Sequence, residues 1–129
     1  MIVVDASVVV TGLADDGAGG DQVRARLRGE RLVAPHLLDV EVISAWRRLA
    51  AAGALDERRA ALARDDLASL RIERLAHAPL LERCWELRDA LSVYDATYVA
   101  IAELLEVPLL TADRRLAAAP GLRCEVEVL

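Results

Sequence analysis

The first ten residues, MIVVDASVVV, constrain this chain more than any other stretch. Ile2, Val3, Val4, Val8, Val9 and Val10 make a β-branched, apolar run that favours a strand buried on both faces. Asp5 interrupts it. An ionised carboxylate avoids dry surroundings unless it is paired or binds a metal. We therefore read Ile2 to Val4 as the central strand and Asp5 as its C-terminal end. The rest of the chain then has to supply the groups that make a carboxylate useful there. No Gly-rich loop follows Asp5, which excludes a dinucleotide fingerprint.

The 129 residues are expected to form a single domain, residues 1–129. A chain of this length buries roughly two thirds of its unfolded surface, enough for a core without staples. All 16 basic residues are Arg, and a GC-rich codon bias explains that more readily than chemistry does. A net charge of −5 argues against a dedicated DNA-binding module, which would show a basic stripe. It leaves open an enzyme that acts on nucleic acid through an acidic metal site. Cys84 and Cys124 suggest neither a disulfide scaffold nor a metal motif and read as small apolar side chains. No signal peptide and no bilayer-length apolar run are visible, so the expected location is cytoplasmic, with no membrane.

Along the chain, Thr11 to Gly20 reads as a loop, rich in Gly and Asp. Asp21 is expected to cap a helix ending near Gly29. Leu32 to Ala34 is a second strand. His36 to Ala52 is a helix with Leu38, Ile43, Trp46, Leu49 and Ala50 near one apolar face. Asp56 caps the next helix, through Leu62 and Leu67. Arg71 to Leu75 is a short strand or edge segment. Pro79 opens a helix through Leu80, Cys84, Leu87 and Leu91, and Ser92 caps another from about Tyr94 to Leu105. Val107 to Thr111 is a strand, Arg114 to Ala118 a short helix, and Cys124 to Leu129 a terminal strand. Strands alternating with helices predict an α/β fold: a three-layer α/β/α sandwich around a mainly parallel sheet.

In such sheets functional groups gather beyond the strand C-termini. That selects Asp5 and Asp113, each just past a strand. Glu41 has no charged neighbour three or four positions away, which puts it on an inner or boundary helix face. Asp95 sits in the first turn of its helix, where the dipole favours a carboxylate. Each acid taken alone has a plain structural use, as a cap or a helix-edge residue. Together they describe a pocket, provided that the sheet is parallel. Converging carboxylates repel in a low dielectric, and either protonation or a divalent cation relieves this. Four carboxylates without His or Cys suit a hard cation, Mg²⁺ or Mn²⁺.

Four stretches, VVDASV (3–8), VEVISAW (40–46), VYDATYVAIAE (93–103) and LLTADRRL (109–116), resemble in order and spacing the motifs of PIN-domain ribonucleases, specifically the VapC-type toxins of toxin–antitoxin pairs. By position, Asp5, Glu41, Asp95 and Asp113 match that family's acidic quartet, and Thr111 matches a supporting hydroxyl residue. The resemblance implies Mg²⁺- or Mn²⁺-dependent endonucleolytic cleavage of RNA by in-line attack of activated water, leaving a 5′-phosphate and a 3′-hydroxyl. Asp5, Asp95 and Asp113 would hold metal, and Glu41 would bind metal or orient the water. It also implies a homodimer and a cognate VapB-like antitoxin that covers the active site and carries the DNA contact.

Arg114 and Arg115 are read equally as phosphate contacts and as solvated charges. For Arg47 and Arg48 the solvated reading leads. His36 and His77 are assigned loop or cap roles, Trp46 and Trp85 core or dimer packing, and Tyr94 and Tyr98 packing. A haloacid-dehalogenase-like phosphatase is rejected because Ser7 stands where a second Asp is required and no Lys exists. A receiver-like module fails on the missing Lys. A stand-alone RNA-processing nuclease and a non-catalytic antitoxin-binding module remain as alternatives.

Overall fold

A computed structural model describes residues 1–129. Five strands, β1 (Ile2–Val4), β2 (Leu32–Pro35), β3 (Ile72–Leu75), β4 (Leu109–Thr111) and β5 (Val126–Val128), form one sheet in the order β3-β2-β1-β4-β5. Every pairing is parallel. Seven helices flank it in a three-layer α/β/α arrangement: α1 (Ala6–Ala14), α2 (Ala18–Leu27), α3 (Leu37–Ala51), α4 (Glu57–Ser69), α5 (Leu81–Glu86), α6 (Val93–Leu105) and α7 (Arg114–Ala117).

β1 is the middle strand, and Ile2, Val3 and Val4 are all fully buried. The chain moves outward from β1 to β2 and β3 on one side, then returns to place β4 and β5 on the other. The connection therefore reverses between β1 and β4. In open parallel sheets, such a switch point leaves a crevice beyond the strand C-termini. Asp5 follows β1 at that crevice and Ala112–Asp113 follow β4.

The segment after Asp5 differs from the sequence expectation. Val8, Val9 and Val10 lie in α1, not in a strand, and Thr11 to Gly20 is the end of α1, a tight turn and the start of α2. β-propensity mostly reports fit to a half-buried pleated surface. Here Val8 and Val9 are buried as a helix face instead. The turn is built by Asp15, whose Oδ1 accepts from the Gly17 N–H (2.8 Å) and Oδ2 from the Gly20 N–H (3.1 Å). It does the work of a capping side chain that Gly17, at the N-cap of α2, lacks. Asp21 is therefore a first-turn residue, not the cap. The C-terminal carbonyls of α1 are capped from a distance: Arg24 donates to Gly12 O and Asp15 O, and Arg59 to Leu13 O. A Cβ at position 20 would overlap the Asp15 carbonyl oxygen. Gly20→Ala is expected to destabilise the fold by about 1–3 kcal/mol, as overpacking does, in a urea titration followed by circular dichroism.

Other boundaries shift for physical reasons. The buried stripe of α3 is Leu38, Val42 and Trp46, spaced by one turn, so Ile43 and Leu49 are exposed rather than core. Leu62 on α4 is exposed while Leu67 is buried. Pro79 lies in a 3₁₀ turn (Ala78–Leu80), and α5 stops at Glu86, short of Leu91. Trp85 is 63% exposed, with the Arg88 guanidinium 4.5 Å above its ring, whereas Trp46 packs in the core. Asp56 and Ser92 cap α4 and α6 as expected, accepting from the Arg59 and Asp95 N–H groups. His77 is a cap as well: its Nε2 accepts the Leu37 N–H at the start of α3.

Candidate active site

Four segments distant in sequence bring Asp5, Glu41, Asp95 and Asp113 to one cleft of ≈ 640 Å³ at the C-terminal edge of β1 and β4. Asp5 occupies the N-cap position of α1, where a carboxylate ordinarily accepts from the backbone of the first turn. It makes no such bond. Instead Oδ2 accepts the hydroxyls of Ser7 (2.6 Å) and Thr111 (2.7 Å), while Oδ1 accepts nothing from the protein. Asp5 is 6% exposed, and Thr111 is fully buried. The residue that looked misplaced in an apolar run is held by hydroxyls from the helix after β1 and from the end of β4.

Glu41 sits in the second turn of α3, half-buried. Its one side-chain bond is from the Tyr98 hydroxyl to Oε1, 3.2 Å. Burial is the largest cause that raises the Glu41 pKa, and the charges of Asp5 and Asp95 add to it; the Tyr98 bond opposes them. Burial, with the Glu41 and Asp5 charges beside it, pushes the Tyr98 phenol far up, so Tyr98 stays protonated and donates. Asp95 lies in the first turn of α6, where its backbone N–H donates to the Ser92 hydroxyl at 3.1 Å. Burial raises its pKa, helped by Asp5 and Asp113 and opposed by the Ser92 hydroxyl and Arg115. Asp113 behaves in the opposite way. It caps α7, with Oδ1 accepting the Arg115 N–H (2.8 Å), and the Arg115 guanidinium approaches both oxygens at 3.2–3.3 Å. Arg115 therefore holds the Asp113 carboxyl below its usual range.

The cleft thus contains two like-charged carboxyls pushed toward protonation and a third neutralised by arginine. Its donors are oxygens throughout; no His or Cys lines it. As placed, no three His, Cys, Asp or Glu side chains converge closely enough to hold one ion on their own. Mg²⁺ keeps several waters and takes one or two carboxylates, and Mn²⁺ suits the same oxygen donors, so the chemistry of this all-oxygen set fits such a cation.

Arg114 and Arg115 do not line the cleft, and Arg48 does. Arg48 donates to Ser44 Oγ at 3.0 Å, one turn away on α3. Arg47 lies at a separate depression beside α4. The sequence alone marks neither Ser7 nor Tyr98 as a partner of these carboxylates; Tyr98 reads as packing. Neither carries a local signal of a carboxylate partner elsewhere in the chain: Ser7 is a small polar residue in a β-branched run, and Tyr98 is one of the buried positions of α6. The spacing Asp-x-Ser, beside an already suspect carboxylate, was the one usable hint.

The PIN domain family matches residues 2–122. The chain is 48% identical over 128 residues to ribonuclease VapC1 of Mycobacterium tuberculosis, covering 98% of this chain and 96% of the relative. It is 45% identical over 132 residues to ribonuclease VapC9 of the same organism, covering 100% and 98%. Among solved structures, PAE2754 from Pyrobaculum aerophilum aligns with a TM-score of 0.73 at 27% identity, over 98% of this chain and 83% of that one. Identity of this order along nearly the whole alignment, on top of the family match, means that the chain belongs to the PIN-domain family, among its VapC-type ribonucleases.

Proposed function

We propose that this chain is a Mg²⁺- or Mn²⁺-dependent endoribonuclease, the toxin of a type II toxin–antitoxin pair, held inactive by a VapB-like antitoxin. The observation that carries the reading is the convergence of Asp5, Glu41, Asp95 and Asp113 on one cleft at the β1/β4 switch point. The names of the relatives supply the substrate class. When bound, a divalent cation polarises a phosphate oxygen and lowers the pKa of water.

The chain's own residues do the rest. Asp5 Oδ1 and the Asp95 carboxylate are oxygens that would hold the cation. Glu41, its pKa raised, is suited to take a proton from the attacking water, with Tyr98 fixing its orientation. Arg48 supplies the one positive side chain in the cleft, placed to meet a substrate phosphate. Asp113 completes the acidic set around the cation, directly or through water, while its bonds with Arg115 fix the turn after β4. The catalytic set is therefore Asp5, Glu41, Asp95 and Asp113, with Thr111 auxiliary; Arg114 and Arg115 are outer phosphate contacts at most. In the same reading residues 1–129 are one domain that works as a homodimer in the cytoplasm. No helix is long and apolar enough to cross a membrane.

The test is cleavage of RNA by purified protein with Mg²⁺ or Mn²⁺ and with a chelator. Cleavage is expected only with the cation, and Asp95→Asn is expected to slow it on the order of 10²-fold, as losing one preorganised charge does. Equal cleavage with chelator, or by wild type and Asp95→Asn, overturns the assignment.

A further inference from the structure

Two hydroxyls act on the same carboxylate oxygen. Ser7 Oγ accepts the Ala112 N–H at 3.0 Å, and Thr111 Oγ1 accepts the Asp113 N–H at 3.0 Å. A hydroxyl carries one proton. Because each oxygen already accepts from a backbone N–H, each proton is left for Asp5, and both reach Oδ2. Oδ2 thus accepts two hydroxyl bonds, whereas Oδ1 accepts none from the protein and Asp5 lines the cleft. Ser7 comes from the first turn of α1 and Thr111 from the end of β4, so the pair also ties β1 to the turn that carries Asp113.

We propose that Ser7, together with Thr111, is a positioning residue that restricts Asp5 to one-oxygen coordination and so selects a small octahedral cation over Ca²⁺. The proposal rests on the cation-dependent reading above. Mg²⁺ demands near-ideal octahedral geometry and takes carboxylates through single oxygens, while Ca²⁺ accepts six to eight ligands and readily takes both oxygens of one carboxylate. For Asp5 to chelate through both oxygens, Oδ2 must give up the Ser7 and Thr111 bonds. Partners behind a ligand usually account for about 10–100-fold in metal affinity. Ser7→Ala removes one of the two restraints and leaves the Ala112 N–H without its acceptor.

The experiment is calorimetric titration of the full chain with Mg²⁺ and with Ca²⁺, in the absence of RNA, on wild type, Ser7→Ala, Ser7→Thr, Thr111→Ala and Thr111→Ser. Melting of the cation-free proteins confirms that each is folded. Ser7→Ala is expected to weaken Mg²⁺ binding by about 10–100-fold while Ca²⁺ binding changes far less, so that the preference narrows. Ser7→Thr restores it. If Ser7→Ala does not fold, Thr111→Ala against Thr111→Ser decides the same question from β4. Wild-type Mg²⁺ affinity in Ser7→Ala, or equal loss of both cations, overturns the clamp alone. Absence of any divalent-cation binding by the wild type overturns the functional reading and the clamp with it.

Discussion

Glu103→Ala is expected to cost about 3 kcal/mol of stability and to lower the melting temperature by on the order of 10 °C, in a protein whose acidic cleft is untouched. Arg83 on α5 meets Glu103 on α6 through two parallel bonds, Nε to Oε2 at 2.7 Å and Nη2 to Oε1 at 3.0 Å. The same guanidinium donates to Gly121 O and to Glu86, and Glu103 also accepts the Arg123 N–H. One ion pair thus ties α5, α6 and the loop before β5. Its side chains are 18% and 10% exposed, so removing Glu103 leaves a part-buried guanidinium with only the exposed Glu86 and the Gly121 carbonyl. Breaking a buried pair by deleting one partner costs roughly 3–5 kcal/mol, and the residual exposure puts this case at the low end. Replacing both residues by Leu is expected to cost less than Glu103→Ala, because the only charge then left without its partner is the solvent-exposed Glu86.

The pH dependence has a definite sign. Burial pushes the Glu103 pKa up, but the bonds from Arg83 and from the Arg123 N–H outweigh it, and the net shift is downward from 4.5. A depressed carboxyl adds stability that is present above the unfolded pKa and is lost as pH falls through the folded one. The difference between wild type and Glu103→Ala is therefore full near neutrality and shrinks in acid below the usual glutamate range. Thermal melts across that range check it. An unchanged difference at low pH contradicts the assignment of the stabilising energy to this pair.

Asp5→Asn is expected to reduce RNA cleavage by about 10²–10³-fold and to leave the cation-free fold as stable as wild type, or more stable by about 0.5–1 kcal/mol. Asn keeps an oxygen for the Ser7 and Thr111 hydroxyls, so the geometry survives while the charge is lost. The Asp5 charge is one cause of the raised pKa values of Glu41 and Asp95. A carboxyl whose folded pKa is raised stabilises the fold below the unfolded pKa and loses that contribution as pH rises through the folded value. Cation-free wild type is thus expected to lose stability with rising pH above the usual carboxylate range, and Asp5→Asn to lose less. Cleavage assays beside melts at several pH values read both effects. A large loss of stability in Asp5→Asn would mean that Asp5 is chiefly structural.

Much of the site was legible without coordinates because its acids occupy positions that local rules make awkward. Asp5 interrupts a β-branched run, Glu41 has no charged neighbour on its helix, and Asp113 follows an apolar strand. Caps were legible for the same local reason: Asp56 and Ser92 each accept from a backbone N–H three residues on. The helix α1 was not. Its residues favour a strand by composition, and its C-terminal carbonyls are satisfied by Arg24 and Arg59, the second from more than 40 residues away. No local signal marks such an ending. Which residues of α3 and α4 face the core was only partly legible, since Ile43 and Leu62 are apolar and yet outside.

By itself, the order of residues determined the alternation of strands and helices and the end of β1 at Asp5, because each follows from interactions within a few positions; it singled out the four acids only as candidates, and only with the family resemblance beside them. Only the tertiary structure decided where those acids lie relative to one another. The parallel order β3-β2-β1-β4-β5 brings residues 5 and 113 to one edge, and packing sets Glu41 under Tyr98 and Asp113 beside Arg115. Ser7 and Thr111, 104 positions apart, meet on a single oxygen of Asp5 only because β1 and β4 are hydrogen-bonded neighbours. Hydroxyls are common and uninformative along a chain. They acquire a role when the sheet puts them within 3 Å of a nearly buried carboxylate.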